Sequence, residues 1–190
     1  MFDKIIQLDK SLFLHLNGFH SETSDFIWWW ISSKVIWIPL YIIILYFIIK
    51  KFQWRSITIT LIIILGVAIT DQISSSIIKE LVHRLRPSHN PEISQIVHIV
   101  NDYRGGMFGF VSSHAANTFI FATFTSLLFK NKWFTISILL WATIVSYSRI
   151  AIGVHYPLDI IGGAFVGISV SLMLYLLYKI IKNRIKTKYF

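Results

Sequence analysis

From Val35 to Ile49 this chain carries no charged residue, and comparably apolar stretches recur four more times before its end. A run of roughly 20 apolar residues crosses a bilayer as a helix. That repetition constrains the fold more than any other feature of the sequence. The composition agrees. Of 190 residues, 55% are hydrophobic and 14% charged, with a mean hydropathy of +0.63, whereas a soluble domain carries about 25% charged residues. The fold expected is all-α: a polytopic transmembrane helix bundle of about five spans, forming one integral membrane domain over residues 1–190. Cysteine is absent, which excludes disulfide frameworks, thiol catalysis and Cys-ligated metals. The net charge of +9 collects at the ends of apolar runs. That placement suits anionic headgroups and excludes nucleic acid as the natural partner.

The first twenty residues hold Asp3, Lys4, Asp9, Lys10, His15 and Asn17, so no clean signal-peptide core forms. At helical spacing Phe2, Ile5, Ile6, Leu12, Phe13 and Leu16 share one face, with Asp9 the exception on it and Leu14 opposite. An interfacial amphipathic helix is expected there. The first span is placed at Trp28 to Ile49. The run from Val35 alone reaches only about 22 Å, short of a hydrocarbon core of roughly 30 Å. Trp28, Trp29 and Trp30 would supply its aromatic belt, with Lys34 snorkelling and Pro39 kinking it. The other spans are placed at 56–78, 113–129, 133–148 and 157–178. The later part of the second is polar: Thr70, Asp71, Gln72, Ser74, Ser75 and Ser76. Asp71 is expected to join a structural network there. The pair Gly163 and Gly167 marks close helix packing, within the bundle or at a dimer face.

Cations orient the bundle. Lys50, Lys51 and Arg55 join spans one and two, Lys130 and Lys132 join three and four, and Lys179, Lys182, Arg184, Lys186 and Lys188 follow span five. Five spans put all three places on one side, which the positive-inside rule makes cytoplasmic. The 80–111 loop and the 149–156 turn then share the outer face.

Three groups of residues meet on that face. Lys79 is followed after six residues by Arg86-Pro87; Ser112-Ser113-His114 opens span three; Ser148-Arg149 is followed after five residues by His155, and after three more by Asp159. Each has a bland reading: Lys79 as a snorkelling residue, Arg86 as a loop charge, Ser112 as an N-cap, Asp159 as a carboxylate at a helix start. Together they ask for more. Ionisable groups at membrane depth are costly, and three gathered cations repel unless an anion fills the space between them. A phosphate fits, because Arg offers a planar fork, Lys a point charge, and a helix N-terminus bare N–H groups. Asp159 is spaced to orient the His155 imidazole for nucleophilic or acid–base work, and His114 stands where a general acid would.

These three groups resemble the signature motifs of the type-2 phosphatidic-acid phosphatase superfamily, K-x6-R-P, P-S-G-H and S-R-x5-H-x3-D. The first and third match at every defining position. In the second, Val111 stands for Pro and Ser113 for Gly, with Ser112 and His114 in register. The resemblance covers Lys79 to Asp159. It implies phosphoester hydrolysis through a phosphohistidine with no metal or other cofactor. His155 would be the nucleophile, Asp159 its orienting carboxylate and His114 the acid and later base. Lys79, Arg86, Ser112, Ser113 and Arg149 would hold the phosphoryl oxygens.

The implied activity is a lipid phosphatase in an inner membrane, with its site on the outer face and a lipid phosphate as substrate; no obligate protein partner is evident. Undecaprenyl pyrophosphate ranks first as substrate by family analogy. Phosphatidic acid, phosphatidylglycerol phosphate and lipid A phosphates follow. A lipid phosphotransferase using the same phosphohistidine and a non-enzymatic transporter are the competing readings. An intact His114, His155 and Asp159 count against the transporter, which has no need of them. Arg84, His98, Asp102, Arg104 and Gly105-Gly106 in the 80–111 loop are expected to shape selection.

Overall fold

A computed structural model of the chain describes residues 2–188. The side chains of Phe2, Arg184, Lys186 and Lys188, counted above for the amphipathic face and the orientation, lie outside the described set. Among the described residues the regular structure is helical, with one isolated β-bridge between Leu85 and Phe108. The helices are α1 (Phe2–Asn17), α2 (Glu22–Ser32), α3 (Ile38–Phe52), α4 (Arg55–Gln72), α5 (Lys79–Val82), α6 (Ser113–Phe129), α7 (Lys132–Ala151) and α8 (Pro157–Lys188).

Four stretches are long and apolar enough to cross a membrane: Val35–Phe52, Arg55–Val82, Lys132–Ala151 and Pro157–Asn183. The fifth expected span is α6, whose 17 residues reach about 25 Å. It is the central helix, with Ala115, Ala116, Ile120, Ala122 and Phe124 buried against α4, α7 and α8. A helix enclosed by others need not match the lipid thickness. Gly163 and Gly167 settle as contacts within the bundle. Their Cα atoms press on the α6 backbone at Ser112 and Ala116, where a Cβ would collide.

The first span departs from expectation. Trp28, Trp29 and Trp30 belong to α2, which ends at Ser32, and Ser33 turns extended (φ −74, ψ 137) before a 3₁₀ turn at Val35–Trp37. Serines bond readily to the local backbone and favour helix ends over helix interiors. The Ser33 hydroxyl accepts from the Val35 N–H. Pro39 therefore sits in the first turn of α3, where its missing N–H costs nothing, and it does not kink a longer helix. Trp28 packs edge-on against Tyr147 with centroids 5.0 Å apart, which ties α2 to α7.

The polar half of the second span also has local consequences. The Ser74 and Ser75 hydroxyls donate back to the carbonyls of Thr70 and Asp71, at 2.7 and 2.6 Å. One wide π-helical segment, Ile73–Ile78, follows before α5 begins at Lys79. Such insertions change the phase of the helix beyond them and recur at functional sites. Here the residue whose direction is reset is Lys79.

The cationic connections gather at one end. Lys51 Nζ donates to the Phe129 carbonyl at the C-terminus of α6 (3.0 Å) and lies over the Phe129 ring. Arg55 shares a cleft with Tyr178 and Lys182 near the far end of α8. A cation at a helix C-terminus is favoured by the helix dipole. At the opposite end lie the start of α6, the end of α7 and the start of α8, so the three motif groups converge there.

Candidate active site

The site residues are held at helix termini and in the connections beside them. Ser112 is the N-cap of α6, its hydroxyl accepting from Ala115 N–H at 3.4 Å while its own N–H donates to the Asp159 carbonyl at 2.9 Å. That second bond ties the start of α6 to the start of α8. The N-cap role expected of Ser112 is therefore the one its contacts show. Ser113, at the position where the motif has glycine, gives Lys79 a resting place: Lys79 Nζ donates to its hydroxyl at 3.2 Å.

Asp159 lies in the first turn of α8, fully buried. Its Oδ2 accepts from the Tyr156 N–H at 3.0 Å and faces His155 Nδ1 at 3.3 Å. Gly109 makes that arrangement possible, since a Cβ there would stand 2.8 Å from Asp159 Oδ2 and 3.2 Å from Arg86 Cγ. His155 is 2% exposed in the turn between α7 and α8. Burial holds its imidazole well below the usual range, and the charges of Arg86, Arg149 and Lys79 push the same way. A neutral ring with Nδ1 directed at a carboxylate makes Nε2 the candidate nucleophilic nitrogen.

The cations are buried and only partly satisfied. Arg86 Nε donates to the Phe108 carbonyl at 3.1 Å, and Arg86 Nη1 has no partner. Arg149 bonds the Ser32 hydroxyl through Nη1 and lies over the Tyr103 ring at 5.5 Å, while its Nε is unpartnered. An unmet buried donor is expensive, more so when charged. Two of them on guanidinium groups that crowd the same histidine describe a place kept for an anion. The ring nitrogens of His114 make no hydrogen bond to the protein among the described residues, so they are free for a ligand.

The eight residues expected from sequence are thus brought together. Others were missed. Arg84, expected in the selecting outer loop, turns inward: it donates to Asp159 Oδ1 at 2.8 Å and to Asp9 Oδ2 at 2.5 Å, and it also lines the groove beside α1. Helix α1 forms as expected, with Ile5, Leu8 and Leu12 exposed, but Asp9, Phe13 and Asn17 make a buried stripe against α7 and α8. The one sign in the sequence was a carboxylate on an apolar face. Asp71 accepts from Asn117 Nδ2 at 2.9 Å, which fits the structural network.

Two grooves flank the cradle. One, of about 540 Å³, opens beside His114 and Ser113 between α3, α4 and α6, and carries Lys34, Asp71 and Asn117 among apolar walls. The other, of about 810 Å³, lies beside α1 and is walled by Ile5, Val82, Leu85, Phe110 and Ile161.

Residues 59–184 match the model of the PAP2 superfamily. The chain is 44% identical over 170 residues to a lipid A 4'-phosphatase of Bacteroides thetaiotaomicron, covering 88% of this chain and 75% of that one. It is 40% identical over 181 residues to the lipid A 4'-phosphatase of Porphyromonas gingivalis (95% and 77%). To an undecaprenyl-diphosphatase of Sulfolobus acidocaldarius it is 31% identical over 142 residues (75% and 63%). Its fold superposes on the crystal structure of a transmembrane PAP2-type phosphatidylglycerolphosphate phosphatase from Bacillus subtilis with a TM-score of 0.69, at 20% identity, covering 94% of this chain and 88% of that one.

Proposed function

The chain belongs to the PAP2 superfamily, and on that premise we propose that it removes the 4'-phosphate of a lipid A molecule at the outer face of an inner membrane. It is a multi-pass membrane protein and a phosphoester hydrolase of lipid phosphates. The finer choice of lipid reverses the order suggested by sequence. Undecaprenyl pyrophosphate yields first place because two lipid A 4'-phosphatases match at 44% and 40% identity, against 31% for the undecaprenyl-diphosphatase. The outer-face assignment is supported by the cationic ends of the bundle lying opposite His155.

The observation that carries this reading is the groove beside His114. The leaving group departs on that side, and for a 4'-phosphate it is an acylated sugar with hydroxyl and amide groups. Trp37, Tyr41, Ile44 and Phe121 suit the acyl chains, and Lys34, Asp71 and Asn117 suit the sugar. A polyprenyl pyrophosphate leaves a second phosphate there and has no use for Asp71.

The chemistry follows from the placement. His155 Nε2 attacks phosphorus, forming the N–P bond as the bond to the sugar oxygen breaks, and His114 delivers its proton to that oxygen. His114 then takes a proton from water, whose oxygen attacks phosphorus as the N–P bond breaks, releasing phosphate. Arg86, Arg149, Lys79 and the first N–H groups of α6 stabilise charge on the phosphoryl oxygens throughout, which is most of what phosphoryl transfer requires. No metal has a step in this scheme.

The test uses purified protein with lipid A 1,4'-bisphosphate, undecaprenyl pyrophosphate and phosphatidic acid, with EDTA present. Release from the 4' position should dominate and should vanish in His155→Ala. Faster release from undecaprenyl pyrophosphate would overturn the substrate assignment.

A further inference from the structure

The scheme above gives no task to Arg84 or Asp9, yet both are bonded into it. Asp159 has two oxygens: Oδ2 faces His155 and the Tyr156 N–H, and Oδ1 takes Arg84 Nη1 at 2.8 Å. The same guanidinium uses Nη2 to hold Asp9 Oδ2 at 2.5 Å and lies 4.2 Å over the Tyr156 ring. The remaining oxygen of Asp9 accepts from the Leu158 N–H at 2.9 Å, in the first turn of α8. Arg84 itself is fixed from behind, because its carbonyl accepts from the Gly109 N–H at 2.8 Å. One guanidinium thus bridges two buried carboxylates, one from α1 and one beside the nucleophile.

The rest of the buried stripe on α1 grips the same segment. Phe13 packs edge-on against Tyr156 with centroids 5.3 Å apart. Asn17 Nδ2 lies within hydrogen-bond reach of the Ile150 and Ala151 carbonyls, at 3.2 and 3.1 Å, at the end of α7. Helix α1 therefore holds residues 150–158 at both ends, and His155 lies between them. Asp9 and Phe13 occupy successive turns of one helix face, so the contacts to Leu158 and Tyr156 form together or not at all.

We infer that Asp9 and Arg84 are positioning residues: docking of α1 orients Asp159 through Arg84, and Asp159 in turn orients His155. The inference rests on the phosphohistidine reading. A carboxylate orients a ring usefully only while its other oxygen is held, as with the outer partners of metal-ligating histidines. Arg84 supplies that hold, and Asp9 keeps the second arm of its fork from turning away.

A double-mutant cycle tests this on the full chain, using whichever lipid phosphate the wild type hydrolyses and on which His155→Ala is inactive. Retained activity in His155→Ala would instead defeat the phosphohistidine reading, so the two failures are distinguishable. The variants are Asp9→Asn, Arg84→Gln and their combination, read by kcat, KM and thermal unfolding. Arg84→Gln should lower kcat about 100-fold and Asp9→Asn about tenfold, each with KM unchanged. The double variant should match Arg84→Gln, because Asp9 acts through it. Multiplying losses, or a loss confined to KM or to unfolding temperature, would overturn the relay. Arg84→Lys keeps the charge but lacks the fork, and should recover part of kcat. If Arg84→Gln does not fold, this variant and Asp9→Asn decide the matter: wild-type kcat in both would overturn the proposal.

Discussion

The two ends of the bundle are built on opposite principles. Toward the cationic connections, Ile44, Ile48, Ile59, Phe124, Trp141 and Leu174 make one continuous apolar core shared by α3, α4, α6, α7 and α8. At the other end the apolar clusters are small, Phe13, Ile93, Ile150 and Tyr156 in one and Val100, Ile152 and Val154 in the next. They surround Asp9, Arg84, Arg86, Arg149, His155 and Asp159. Packing is non-directional, and the polar atoms left without a partner there, such as Trp141 Nε1, carry no charge. The charged end is directional and deliberately incomplete, for Arg86 Nη1 and Arg149 Nε lack partners while Asp159 is fully bonded. On the function proposed above, the groups that orient the nucleophile are satisfied by protein, and those that would meet the substrate are left for it.

The sharpest way to break that division is Arg149→Lys. The charge stays, but the planar fork that bonds Ser32, and in the proposed scheme would also serve an oxyanion, is gone. Loss of one directed donor to a developing oxyanion costs about 100-fold in kcat, so a fall of about that size in kcat/KM is expected from steady-state assays. A lysine that works as well would mean that bulk positive charge, rather than unspent directed donors, does the binding.

A smaller effect is expected in pH dependence. In the proposed scheme the neutral form of His155 reacts, and burial together with Arg86, Arg149 and Lys79 keeps its pKa well below 6.5. Lowering that pKa preserves the neutral ring to lower pH, so kcat/KM should not fall with His155 until the pH is below 6.5. Arg86→Gln removes a cation and should move that acid limb upward. Titration of the substrate is common to both proteins and cancels in the comparison. A limb that moves downward or stays in place would show that Arg86 does not act on the ring.

What could be read in the sequence divides along the same line. Lys79, Arg86, His114, Arg149, His155 and Asp159 were legible because each is a costly residue at a helix end or in the connection beside one, at a fixed spacing from another. The start of α6 at Ser113 and its end at Phe129 were legible too, since Ser112 caps one and Lys130 turns left-handed (φ 52) after the other. The break after Ser32 was hidden, because apolar residues resume at once after Ser32-Ser33-Lys34, while a local bond to the Ser33 hydroxyl helps to turn the backbone. The Asp9–Arg84 bond was hidden for another reason. It joins residues 75 apart, and no local pattern reports a partner at that distance. Asp9 betrayed itself only as a misfit.

The gentlest test belongs to the apolar end. Ile59 is fully buried in α4 within the large core. Ile59→Val removes one methylene, which in protein cores costs about 0.5–1.5 kcal/mol. In a bilayer the unfolded reference is surrounded by lipid rather than water, so the transfer part of that cost shrinks and the packing part remains. The expected loss lies at the low end, read by thermal unfolding in detergent, with kcat and its pH limb unchanged. If so small a change at this end altered turnover, the core and the site would be one mechanical unit. An unchanged kcat beside a lowered unfolding temperature means that the charged end needs the core only as a platform, and that orientation of His155 is decided within the outer layer by α1, the 80–111 loop and the start of α8.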